Sequence, residues 1–152
     1  MDGSTKRVAL VTGAGRGIGR AIALELAAAD WAVVVNDLGS GPEGSGKDQA
    51  PAQEVVEKIV ANGGRAVLDT HDVGDWDGAR LMVGASVEQF GRLDGVVNCA
   101  GILRDSIFHR MTEEDWDAVI HVHLKGTFSV SRAAAEVFRR QSSGAFVQMV
   151  ST

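Results

Sequence analysis

Thr12 to Gly19 reads T-G-A-G-R-G-I-G, four glycines in eight residues, and its flanks decide how it is read. Before it, Arg7 to Thr12 (RVALVT) is apolar or β-branched on both faces, the pattern of a strand covered on both sides of a sheet. After it, Ile18, Ile22 and Leu26 recur every four residues while Arg20, Glu25 and Asp30 fall off that stripe, which predicts an amphipathic helix over 18–29. A glycine cluster between the first strand and first helix of a βαβ unit has a physical use. Glycines permit positive φ and a close approach of backbone to a pyrophosphate, whose charge is met by helix N-terminal amides. Arg16 adds a cation at this turn. The spacing is T-G-x-x-x-G-x-G, because Arg20 stands where a G-x-G-x-x-G match starting at Gly15 would need its third glycine.

Outward from this turn the pattern repeats. Trp31 to Asn36 (WAVVVN) is a second buried strand, and Asp37 to Ala50 is rich in Gly and Ser without periodicity, which predicts a mobile loop. Pro51 opens a helix with Val55, Val56, Ile59 and Val60 as its stripe and Asn62-Gly63-Gly64 as its stop. Ala66 to Asp72 is expected as a third strand, Asp75 to Phe90 as a helix and Leu93 to Asn98 as a fourth strand. Thr112 with Asp115 starts one long helix running to about Arg140, with Trp116, Val119, Ile120, Leu124, Phe128 and Val137 as its apolar stripe. Ala145 to Val150 is a fifth strand. Strands alternating with helices of this length are joined by right-handed crossovers, so the expected fold is α/β, a three-layer doubly wound parallel sheet of Rossmann type.

Asp37 follows the second strand, 18 residues after Gly19, where a carboxylate can accept hydrogen bonds from an adenosine ribose. That favours NAD, since a 2′-phosphate would face a negative charge. Arg16 argues the other way, and alone Asp37 also reads as a solvated turn residue. Composition narrows the alternatives. The 152 residues are 45% hydrophobic and carry a net charge of −5, which suits one globular domain and disfavours a nucleic-acid partner. A single cysteine excludes a disulfide scaffold or a Cys-rich zinc site, and no stretch approaches the length of a membrane span. No signal-peptide pattern precedes Arg7, so a reducing, cytoplasmic setting is expected. His121 and His123 are two apart on a helix and make a poor metal pair. His71 and His109 read as loop or surface residues, and Trp31, Trp76 and Trp116 as packing residues.

With T-G-A-G-R-G-I-G at 12–19, Asp72-Val73, and Asn98-Cys99-Ala100-Gly101 in this order, the chain resembles the short-chain dehydrogenase/reductase family. The resemblance implies a nicotinamide dinucleotide as cofactor, NAD by the reading of Asp37, with Gly13, Gly17, Ile18 and Gly19 at the pyrophosphate and Asp72 and Val73 beside adenine. It places Asn98, Ala100 and Gly101 at the sheet centre and cofactor cleft. Cys99, often Asn in the family, reads as a small buried residue. Segments 101–105 and 115–128 are most similar to the (3R)-hydroxyacyl-CoA dehydrogenase branch, which implies a small-molecule secondary alcohol or ketone as substrate. His123 aligns with a catalytic Asn of the family, and Ser151 with the serine that bonds the substrate oxygen. The family's proton-transferring Tyr lies further along its domain, and this chain contains no tyrosine. The expectation is therefore an N-terminal NAD-binding part, 1–152, of a longer domain that ends here after the fifth strand and forms a homo-oligomer at full length. A non-catalytic dinucleotide-binding module is the other reading.

Overall fold

The computed structural model describes residues 6–150. Five parallel strands form one sheet in the order β3-β2-β1-β4-β5: β1 is Val8–Thr12, β2 Ala32–Asn36, β3 Arg65–Asp69, β4 Gly95–Asn98 and β5 Ala145–Gln148. Thr12, at the end of β1, pairs with Asn36 on one side and Asn98 on the other, so three strand ends lie level. Helices α1 (Gly17–Ala28) and α2 (Ala50–Ala61) cover one face; α3 (Trp76–Phe90) and α5 (Thr127–Gln141) cover the other. Every residue of β1 and β2 is buried, and the alternation of the pleat splits them between two cores. Val8, Leu10 and Val34 join Met82, Leu93 and Val130 beneath α3 and α5, while Val11, Val33 and Val35 join Ala23, Val55 and Ile59 beneath α1 and α2. Full burial of each such Leu, Val or Ile contributes about 1.5–3 kcal/mol.

Asp94 ties the central strands together. Its carboxylate accepts the Val8 N–H at 2.9 Å and the Arg92 Nε–H at 2.8 Å while only 7% exposed. Burial opposes its ionisation, but the bonds from Arg92 and Val8 and the charges of Arg92 and Arg7 outweigh that, and the carboxyl is held below its ordinary range.

Apart from strand ends, the fold departs from the sequence reading in three places. Segment 37–49 is irregular, as expected, but it is pinned rather than loose. Asp48 N–H reaches Gly39 O at 2.7 Å, Gly41 N–H reaches Ser45 O at 2.7 Å, and Leu103 N–H reaches Pro42 O at 2.9 Å. The expected long helix is interrupted. A short helix α4 (Glu113–Val119), capped by Thr112 through the Asp115 amide, passes into a wider π-helical segment, Ile120–Gly126, before α5 begins. Finally, part of the apolar stripe of that helix faces outward: Trp116, Leu124 and Phe128 are each more than half exposed, because no described residue covers that side. Trp76, also exposed, has its ring centroid 6.0 Å from that of Phe128.

Candidate functional site: a cleft at the strand ends

The sheet order reverses between β1 and β4, and in open α/β sheets the crevice beyond the strand ends at such a point is where ligands bind. Here the crevice floor is the glycine turn. Gly13 and Gly17 have φ of +62° and +54°. A Cβ on Gly13 would lie 2.8 Å from Ala100 Cα, so only glycine lets the turn pass the chain leaving β4. Thr12 fastens the two together, its hydroxyl accepting the N–H groups of Cys99 and Ala100, both at 3.1 Å. Helix α1 starts at Gly17 with no side-chain cap and no acidic residue in its first turn. The orphan amides of Gly17, Ile18 and Gly19 thus await an acceptor, and a diphosphate fits that need. A Cβ on Gly17 would meet nothing within 4 Å, so the approach is open.

Asp37 reaches across this turn. Its Oδ2 accepts the Gly15 N–H and its Oδ1 the Gly39 N–H, both at 2.8 Å, which fixes a half-buried carboxylate in the cleft wall. Arg16 is exposed and lies along the 37–49 loop, with guanidinium nitrogens 3.4 Å from Ser40 O and from Asp48 Oδ2. Beyond β3 the chain turns on Asp69, whose Oδ1 accepts the Asn36 amide at 2.7 Å and the His71 N–H at 3.0 Å. Asp69 Oδ2 backs the His71 ring at 2.8 Å.

The π-helical segment closes the far side. His123 Nε2 lies 2.9 Å from Ile102 O and 3.1 Å from Ile102 N, so the ring either donates to that carbonyl or accepts that amide. A Cβ on Gly101 would sit 2.8 Å from His123 Cε1; the glycine admits the ring. His121 turns instead to Asp72, Nε2 to Oδ2 3.0 Å.

The sequence pattern of the short chain dehydrogenase family matches residues 7–152. The chain belongs to that family. It is 49% identical over 152 residues to a protein named as a short-chain type dehydrogenase/reductase in Mycobacterium tuberculosis, covering 100% of this chain and 53% of the relative. It is 46% identical over 138 residues to the mouse peroxisomal multifunctional enzyme type 2, covering 91% of this chain and 18% of that one. A crystal structure of a short chain dehydrogenase from Mycobacterium avium superposes with a TM-score of 0.85 at 47% identity, over 96% of this chain and 53% of that one. The chain thus spans about half the length of the first and third of these proteins.

Of the candidate residues, Gly13, Arg16, Asp37, Asp72, Val73, Ala100 and Gly101 line this one cleft. Gly17, Ile18 and Gly19 form the first turn of α1 directly after Arg16. Asn98 does not line the cleft; it is buried, and its amide donates to Gln148 Oε1 at 2.8 Å and Ser131 Oγ at 3.2 Å, tying β4 to β5 and α5. Ser151 lies outside the described residues. Cys99 is half-buried, and burial pushes its thiol pKa up, away from nucleophilic reactivity. Sequence reasoning missed His71, Ile102 and Val122, which also line the cleft. Their only signal was adjacency to the recognised motifs. A larger concavity lies elsewhere, in a groove between α3 and α5 walled by Arg80, Glu88, Arg132 and Glu136, and contains none of the motif residues. No group of three metal-ligating side chains occurs among the described residues, and no helix among them is long and apolar enough to cross a membrane.

Proposed function

We propose that this chain binds a nicotinamide dinucleotide, NAD in preference to NADP, and forms the coenzyme-binding part of an enzyme that oxidises a secondary alcohol or reduces the matching ketone. The observation that carries the reading is the Asp37 carboxylate held by the Gly15 and Gly39 amides beside an uncapped helix N-terminus. The amides of Gly17 to Gly19 hold the diphosphate, and the lone pairs left on Asp37 accept sugar hydroxyls. The bound coenzyme supplies a hydride acceptor or donor for the carbon that carries the substrate oxygen. His123, whose Nε2 pairs with the Ile102 backbone, holds a proton or a water in place of the family's asparagine. Ser151 orients the substrate oxygen. Similarity of segments 101–105 and 115–128 to the hydroxyacyl branch supports a (3R)-hydroxyacyl thioester as substrate.

Titration calorimetry of the polypeptide with NAD and with NADP tests this. Tighter binding of NAD is expected; no heat with either coenzyme overturns the reading. A second reading, a dinucleotide-binding module without chemistry, is favoured by His123 standing where the family has its catalytic asparagine. NAD reduction on adding a 3-hydroxyacyl-CoA rules it out, while binding without turnover supports it.

A further inference from the structure

The turn after β3 and the π-helical segment meet in a way that holding a diphosphate and a sugar does not require. Asp72 Oδ1 accepts the Gly74 N–H at 2.8 Å, and Asp72 Oδ2 faces His121 Nε2 at 3.0 Å. A Cβ on Gly74 would fall 2.3 Å from that same nitrogen, so glycine is what admits the imidazole. At the other end of the segment, a Cβ on Gly126 would lie 2.6 Å from Val73 Cγ2, so the segment is pressed against this turn at two points. An ionised carboxylate only accepts, so the His121 nitrogen meeting it carries the proton. Two acceptor sites of Asp72 are thereby used, others remain, and the side chain is 35% exposed in the cleft lining.

Strand order says what the remaining sites face. The glycine turn follows β1, Asp37 follows β2 and Asp72 follows β3, and these three strands are successive neighbours toward one edge. A dinucleotide with its diphosphate at β1 and its sugar at β2 carries its base toward β3. We propose that His121 is a positioning residue for base recognition, fixing Asp72 as the acceptor for the amino group of the coenzyme's adenine. This rests on the dinucleotide reading above and adds to it a specificity device on the π-helical segment.

The experiment is a double-mutant cycle on NAD affinity, read by calorimetry with native chain, His121→Phe, Asp72→Ala and the double variant. His121→Phe is expected to weaken NAD about fivefold when Asp72 is present and to change nothing when Asp72 is already alanine. His121→Gln, which keeps an N–H for the same oxygen, stays within about twofold of native. Gly74→Ala, which crowds the imidazole away while keeping both side chains and the Gly74 N–H that Asp72 accepts, reproduces the loss of His121→Phe and covers the case in which that variant folds poorly. Nicotinamide mononucleotide, which lacks the adenine, binds all of them equally. An equal loss from His121→Phe with and without Asp72, or no loss at all, overturns the inference while leaving the coenzyme reading intact. A native chain that binds no NAD overturns both.

Discussion

Replacing Asp37 by serine separates two tasks of one carboxylate. In the native chain both oxygens are occupied by backbone amides at 2.8 Å, from Gly15 and Gly39. A hydrogen bond to a charged group contributes about 1.5–3 kcal/mol, toward the lower end for a half-buried carboxylate, and serine keeps one of the two. Asp37→Ser should therefore lower stability by about 1.5–2 kcal/mol, a fall in Tm of about 3–8 °C at this chain length. Binding changes by more. Losing the acceptor for a sugar hydroxyl weakens NAD by about tenfold or more. For NADP the change runs the other way. A carboxylate about 5 Å from a phosphate charge is repelled by about 3 kcal/mol at an effective dielectric of about 20, less in salt, and the substitution removes that penalty. Arg16, whose 3.4 Å contacts to Ser40 and Asp48 are long, is then free to turn toward the phosphate. The NAD-to-NADP affinity ratio should fall by about 100-fold, measured by calorimetry with both coenzymes at one salt concentration, alongside thermal melts. A variant that loses stability but keeps the ratio within about threefold would refute the reasoning, because the carboxylate would then be a clamp for the loop alone.

Gly13→Ala forces a β-carbon to within 2.8 Å of Ala100 Cα at a φ of +62°, so a loss of about 2–4 kcal/mol is expected in urea titrations, and a loss below about 1 kcal/mol would mean that the turn relaxes freely. Thr12→Val keeps the shape but strands the Cys99 and Ala100 amides; about 2 kcal/mol should go, and a neutral result would show that other acceptors replace the hydroxyl. Arg92→Met removes the partner that helps hold the Asp94 carboxyl below its ordinary range. A carboxyl lowered in the folded state stabilises above its unfolded pKa and ceases to do so as pH falls through the folded value. The variant should thus be less stable than native by about 1 kcal/mol at pH 7, a modest figure because the guanidinium is a third exposed, and the two should converge below about pH 4. A gap of the same size at both pH values would assign the effect to packing.

Much of the fold was legible because parallel strands covered on both faces read as unbroken apolar runs. β1 and β2 match their segments almost residue for residue, since nothing in Val8–Val11 or Ala32–Val35 competes with the ladder. Ends were less legible wherever a side chain captures backbone. β3 stops at Asp69 instead of continuing to Asp72, because Asp69 Oδ1 takes the His71 amide and folds the chain back. β4 begins at Gly95, two residues late, because the Gln141 side chain claims both the N–H and the carbonyl of Leu93. The site divides similarly. Gly13, Arg16 and Asp37 were recognisable from local spacing and Asp72 only through the family resemblance, but the pinning of the 37–49 loop depends on Pro42 meeting Leu103, sixty-one residues away, and no local pattern encodes that.

The π-helical segment was invisible for a different reason. Over the seven residues from Ile120 to Gly126, a wider turn shifts the apolar period by less than one position per turn, within the scatter of any stripe. Its cause lies in other segments. Helix α4 is set by the Thr112 cap, and α5 by Val130, Ala134 and Val137 in the core, so the residues between must join two independently fixed cylinders. Gly126 against Val73, His121 against Asp72 and His123 against Ile102 are the contacts that hold the joint. Two of those partners belong to the turn after β3 and the third to the chain leaving β4, so the distortion falls where the cleft needs a wall. A regular α-helix through 113–141 would have to give up at least one of these contacts. The paired histidines and the glycine at 126 are the only trace of that requirement in the sequence.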